Sequence, residues 1–195
     1  MAPRIGIEPS LGCAIPKAPR SVDRGSSDCF QTINVLEQEQ TMLETHDGGC
    51  LCGAVRYSTV GKPVGSAVCH CRYCQLSTGT AFGISVFFKK DQVTFNEGAC
   101  RRYSFETESG NTITTFRCEE CGTLVSVRPS LKKLKNLVGI AGGTFDPPTF
   151  WYDVEAEVFT RSKAGFCQIA APESFEDSPI YRPVKRDSGH LKGET

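Results

Sequence analysis

Gly48-Gly49-Cys50-Leu51-Cys52-Gly53-Ala54-Val55-Arg56-Tyr57-Ser58-Thr59-Val60 is the stretch from which the fold can be read. Two cysteines one residue apart pass through a glycine into an alternating run, which predicts a strand broken by Gly61-Lys62-Pro63. Residues i and i+2 of an extended chain share a face, so the spacing predicts two thiols aimed at one point beside that strand. The same texture continues downstream. Further strands are predicted over 82–88, 93–95, 101–106, 112–117, 124–127, 137–140 and 154–160, separated by turn signals such as Asn96-Glu97-Gly98 and Ser109-Gly110-Asn111. Short strands at this spacing predict a mostly β domain, a sandwich or a barrel-like fold. Only 130–136 and 174–177 read as short helical turns.

Cysteine usage then narrows the chemistry. Eleven of the 195 residues are cysteine, an odd number that cannot pair completely within the chain. No N-x-S/T site occurs and 1–10 has no apolar signal core, so a reducing compartment, the cytoplasm, is expected. Seven of the cysteines fall into three groups: Cys50-x-Cys52, Cys69-x-Cys71-x-x-Cys74 and Cys118-x-x-Cys121. In Cys118-Glu119-Glu120-Cys121-Gly122 a tight loop supplies two thiolates and a glycine that tolerates the backbone twist. With Cys50 and Cys52 these make four sulfurs, a closed tetrahedral zinc site of structural type that ties an early strand to a late one. Buried unpaired thiols, or a redox pair at Cys118 and Cys121, are the competing readings.

The middle group, Cys69-His70-Cys71-Arg72-Tyr73-Cys74, offers three thiolates and leaves a tetrahedral ion one ligand short. Three protein ligands plus an exchangeable position is the layout of a catalytic zinc. His70, lying between two ligands, is expected to point away from them when the chain is extended, beside the site or toward substrate. Arg72 reads either as a partner for a thiolate or substrate carboxylate, or as a solvated loop arginine. Thr78-Gly79-Thr80 reads as an ordinary turn. Cys100 and Cys167 are expected to be buried and inert, and Cys13 and Cys29 to have no role.

Taken together, 48–57, 69–74 and 116–122 resemble the glutathione-dependent formaldehyde-activating enzyme domain, a superfamily that includes centromere protein V. The resemblance spans about 42–180 and implies a β-tent of packed antiparallel sheets stabilised by zinc. It implies a structural zinc on Cys50, Cys52, Cys118 and Cys121, and a catalytic zinc on Cys69, Cys71 and Cys74. The reaction it implies is that of a carbon–sulfur lyase. Glutathione and formaldehyde condense to S-(hydroxymethyl)glutathione, and the adduct also cleaves. A non-catalytic zinc-stabilised binding module, like centromere protein V, is the alternative. The chain departs from the family near the end of the domain, where a His-Ile-type pair is replaced by Glu157-Val158-Phe159.

Charge and hydropathy bound the partners. Twenty-two basic and twenty-two acidic residues cancel, and 1–41 carries four basic against five acidic residues, so a nucleic-acid partner is disfavoured. No apolar run reaches the eighteen residues of a membrane span. A small-molecule thiol adduct is the expected partner. The expected organisation is a disordered extension over 1–41, a zinc-binding domain over 42–180 starting at Met42, and a flexible tail over 181–195.

Overall fold

A computed structural model describes residues 44–96, 100–184 and 189–192 of the chain. The extension expected over 1–41, with Cys13 and Cys29, lies outside the described residues. In chain order the elements are β1 (Thr45–Gly49), β2 (Arg56–Val60), β3 (Gly65–Cys69), α1 (Arg72–Thr78), β4 (Gly83–Lys89), β5 (Val93–Phe95) and β6 (Cys100–Glu106). They continue as β7 (Thr112–Cys118), β8 (Leu124–Pro129), β9 (Leu137–Ala141), β10 (Ala156–Val158), β11 (Glu173–Phe175) and α2 (Gly189–Lys192). The fold is mostly β, as the sequence predicts.

The strands form two sheets. The smaller, ordered β1-β2-β5, is antiparallel; the larger is ordered β11-β10-β3-β4-β9-β8-β7-β6. Most of the large sheet is antiparallel, but β10 lies parallel to both β3 and β11. The hydrophobic core sits between the sheets. Alternation along β4 and β9 sends Val86, Phe88, Val138 and Ile140 to one face, where Val55 and Tyr57 meet them. Each such side chain contributes about 1.5–3 kcal/mol when fully buried. Phe145, from the segment after β9, packs edge-on against Tyr57 with ring centroids 5.5 Å apart. The adjacent Asp146 carboxylate accepts hydrogen bonds from both terminal nitrogens of Arg56, closing the sheets at that edge.

Three local expectations are corrected. Residues 173–175 form β11 rather than a helical turn, because the backbone of β10 offers its free edge and a polar segment can complete it. Residues 72–78, for which no helix is expected, form α1, which ends at Gly79 in the left-handed region (φ 70°). The Cys50-Leu51-Cys52 segment is a turn, not extended chain: the Gly53 N–H donates to the Cys50 carbonyl at 3.1 Å. The expected helical turn near 130–136 is a hydrogen-bonded turn in which both Leu134 and Lys135 N–H donate to the Leu131 carbonyl. Among the described residues no helix is long and apolar enough to cross a membrane.

Candidate metal centres and cavity

Cys50, Cys52, Cys118 and Cys121 converge where the two sheets meet, and their four sulfurs all lie within 4.8 Å of one another. Cys50 and Cys52 come from the β1–β2 turn, Cys118 ends β7, and Cys121 lies in the β7–β8 turn. Gly53 and Gly122 follow the second cysteine of each pair with φ of 79° and 73°, a conformation that costs glycine little. Sulfur separations of 3.5 Å for Cys50–Cys52 and 3.7 Å for Cys52–Cys118 are close to the edge of a tetrahedron with metal–sulfur bonds of about 2.3 Å. The Val55 N–H donates to Cys50 Sγ at 3.2 Å, and the Leu51 N–H to Thr123 Oγ1 at 3.3 Å, so the turns brace each other.

The thiols' acidities show what the cluster lacks in charge balance. The hydroxyl and backbone N–H of Thr123 hold the Cys121 thiol down at about 5. Cys52 is pushed up to about 12: the Ala54 N–H favours its thiolate, but the adjoining thiols and burial outweigh it. Clustered thiols cannot all ionise against their mutual repulsion, and a divalent cation removes that limit. The donor set therefore fits a metal ion.

The second group is built differently. Cys69 ends β3, Cys71 caps the start of α1 with extended backbone (φ −62°, ψ 152°), and Cys74 sits one turn into the helix. Their sulfurs also lie within 4.8 Å of one another. Hydrogen bonds from Cys69 and Cys74 hold Cys71 well below the usual thiol range, whereas contact with Cys69 and Cys71 pushes Cys74 well above it. Again the donors fit a cation, with three ligands rather than four. Gly83 pairs with Cys69 across β3–β4, and a Cβ there would stand 3.3 Å from Cys74 Cβ. Glycine is thus what lets the helix sit so close to the sheet.

α1 is held from two sides. Arg117 of β7 donates to the Ser77 carbonyl and, at 3.2 Å, to the Gly122 carbonyl. Gln75 Nε2 donates to the Ser162 carbonyl at 3.1 Å, and Tyr73 stacks on Phe105 with centroids 5.6 Å apart. Thr78 Oγ1 donates to the Cys74 carbonyl at 2.8 Å, so the Thr78-Gly79-Thr80 segment closes the helix as an ordinary turn. Arg72 is exposed on the first turn and, among the described residues, its side chain donates to Gln75 Oε1, at 3.5 Å.

His70 stays out of the thiol cluster, as alternation predicts. It is 0 % exposed, and its Nε2 donates at 2.8 Å to Glu157 Oε1 of β10. Lys163 Nζ reaches the same oxygen at 2.7 Å. Burial disfavours the Glu157 carboxylate, but hydrogen bonds from Lys163 and His70 more than offset this and hold it below the usual carboxyl range. His70 Nδ1 is buried with no hydrogen-bond partner. The sequence reading noticed Glu157 only as a departure from the family pattern and missed Lys163. The available signal was an acidic residue between Ala156 and Val158 in a predicted strand, which alternation turns to the opposite face.

A cavity of about 1280 Å³ opens beside the three-thiol group. Cys69, Cys71 and Cys74 all line it, together with Arg72. Its floor is the face of the large sheet turned away from the core, and Tyr181 and Leu191 stand in its wall. Cys121 of the four-thiol group also borders it, but Cys50, Cys52 and Cys118 do not. Of the cysteines outside the clusters, Cys167 is buried, and Cys100 is half-buried, opposite Cys118 in the β6–β7 register.

Fold and clusters together define a mostly β domain whose four-thiol group joins two sheets and whose three-thiol group opens on a cavity. The chain belongs to the glutathione-dependent formaldehyde-activating enzyme family, whose family model matches residues 45–162. No curated protein matches the chain. Among solved structures, a Rhodobacter sphaeroides protein known from its crystal structure is similar, with 20 % identity and a TM-score of 0.41. The alignment covers 55 % of this chain and 96 % of that one.

Proposed function

We propose that the protein is a zinc-dependent carbon–sulfur lyase-type enzyme acting on a glutathione adduct such as S-(hydroxymethyl)glutathione. The observation that carries this reading is the asymmetry between the clusters. One has four thiols, a complete tetrahedral donor set joining two sheets; the other has three, all of them lining a large cavity. In this reading Cys50, Cys52, Cys118 and Cys121 hold a structural zinc, and Cys69, Cys71 and Cys74 hold the catalytic one. The working unit is the domain over 42–180, in a reducing compartment such as the cytoplasm, where the thiols stay available for metal.

In the forward direction the thiol sulfur adds to the aldehyde carbon, a C–S bond forms, and the thiol proton ends on the former carbonyl oxygen. Cleavage reverses each change, and no redox partner is needed. The chemistry supplied by bound zinc is stabilisation of a thiolate near neutral pH, or polarisation of the oxygen as a Lewis acid. The chain's own residues bind and orient. Arg72 lines the cavity beside the thiols, where it can pair with a substrate carboxylate, and the end of β3 with α1, which Arg117 and Gln75 brace, keeps the three sulfurs on the cavity wall.

The test is NMR exchange between the formaldehyde–glutathione adduct and its components, run on protein whose zinc content has been measured. Acceleration by the wild type and its loss in Cys71→Ser, with the fold retained by circular dichroism, supports the enzyme. No acceleration of any thiol adduct by zinc-loaded protein would favour a binding module.

A further inference from the structure

The cavity is larger and less polar than a formaldehyde adduct of glutathione requires. At about 1280 Å³ it exceeds the roughly 300–1,000 Å³ of ordinary small-molecule pockets. Its lining includes Phe87, Val127, Ile113, Phe105 and Leu134, with Val158 beside Cys69 in the β10–β3 register. Small residues keep this face open: Ala67 and Ser85 are register partners across β3–β4, and Gly139 faces Phe87 across β4–β9. A Cβ on Gly139 would come within 2.7 Å of Val127 Cγ2 and 3.0 Å of Phe87, so glycine lets those two side chains form one apolar surface. On the other face of the same sheet, equivalent apolar residues are covered by the three-stranded sheet.

The charges in the lining are mostly spent on each other. Both Glu108 carboxylate oxygens accept from Arg161 Nη2, at 2.9 and 3.1 Å, and Arg161 also pairs with Asp177. Arg117 is engaged with the carbonyls of Ser77 and Gly122. Arg72 remains, beside the three thiols, with its Gln75 contact. Among the described residues, the lining therefore offers a cation without a charged partner, Arg72 beside the three thiols, and an apolar surface that includes Phe87, Val127 and Ile113.

We infer that the adduct this site takes carries a bulky apolar group. It is the hemithioacetal of a thiol with an aldehyde bearing an aromatic ring or an alkyl chain of about six carbons or more. The inference rests on the lyase reading and names its substrate class. The thiol moiety places a carboxylate at Arg72, and the aldehyde-derived group lies along Phe87, Val127 and Ile113. On cleavage the C–S bond breaks, the hydroxyl proton passes to sulfur, and the carbon becomes the aldehyde carbonyl. Atoms and electrons balance without an oxidant.

The probes are S-methylglutathione and S-hexylglutathione, titrated by calorimetry into the full-length, zinc-quantified protein. Each methylene fully buried strengthens binding by about fourfold, so even partial burial of the chain makes the hexyl compound at least about 30-fold tighter. In Val127→Asp the hexyl-to-methyl ratio falls by about tenfold or more. Ala67→Leu, which fills the cavity without adding charge, tests the same point should the first variant fail to fold. Adduct exchange by NMR is run in parallel with octanal and with formaldehyde. Preference for the hexyl probe and for octanal supports the inference. Equal affinity for both probes, with exchange of the formaldehyde adduct, overturns it and leaves the enzyme reading standing. Hexyl preference without exchange of any adduct overturns the enzyme reading, and with it this substrate, while leaving an apolar ligand site.

Discussion

Replacing Glu157 by alanine removes the single oxygen that accepts from both His70 and Lys163. Glu157 is 4 % exposed and His70 0 %, so water cannot replace the lost partner at the imidazole. Its Nδ1 already has none, and the variant strands Nε2 as well. An unsatisfied buried polar group costs about 1–3 kcal/mol, and breaking a buried ion pair by removing one partner about 3–5 kcal/mol. Lys163 can turn toward solvent, since a quarter of its side chain is already exposed, which favours the lower end. The expected loss is about 2–4 kcal/mol for Glu157→Ala and about 1–2 kcal/mol for Glu157→Gln, which keeps an acceptor for His70. The assay is urea denaturation of zinc-loaded protein. With a slope of about 2 kcal/mol per molar, the midpoint falls by about 1–2 M for the alanine variant. The pH dependence adds a second check. Because the folded carboxyl sits below its ordinary value, its contribution is complete above pH 4.5 and is lost as pH falls through the folded value. The gap between wild type and Glu157→Gln therefore narrows on acidification below that point. A midpoint for Glu157→Ala within 0.2 M of wild type, or a gap that widens in acid, refutes the reasoning.

Other perturbations separate the two clusters and their supports. Cys118→Ser should abolish cooperative folding, since a structural zinc contributes about 10 kcal/mol of apparent binding energy, whereas Cys71→Ser should lose one zinc equivalent by elemental analysis and remain folded. Gly83→Ala forces a methyl against Cys74; the expected cost is about 1 kcal/mol in stability, with faster zinc loss to a chelator from the three-thiol site only. Arg72→Gln should lower kcat/KM for a carboxylate-bearing thiol adduct by about 10- to 150-fold, the loss of one charge-assisted hydrogen bond. Asp146→Asn breaks the Arg56 pair, but both partners are over 40 % exposed, so thermal unfolding should register less than about 1 kcal/mol.

Much of the fold was legible because strand signals are local. Alternation at 54–60 and the apolar, β-branched and aromatic run at 82–88 foretold β2 and β4, and the glycine after Cys121 foretold the tight turn that presents it, whereas the turn at Cys50–Cys52 was expected as extended chain. β1, β3 and β11 were not foretold. Thr45–Gly49 and Gly65–Cys69 are rich in glycine and small polar residues, and Glu173–Phe175 is only three residues long. Such segments become strands because a neighbour offers an edge, a fact outside their own sequence. The helix at Arg72–Thr78 was hidden for a related reason: it is short and has no buried residue, so it carries no amphipathic period to detect.

The sequence alone determined the grouping of thiols into four and three, because cysteine spacing within a tight turn limits which sulfurs can share an ion. It determined as well that His70, between two clustered cysteines, would point elsewhere. Only the tertiary structure decided what His70 meets. Glu157 is 87 residues away, brought alongside by a parallel pairing of β10 with β3 that no local pattern encodes. The cavity is likewise a tertiary fact. Its floor collects single residues from strands distant in sequence, and its apolar character depends on which face of the large sheet the small sheet leaves uncovered.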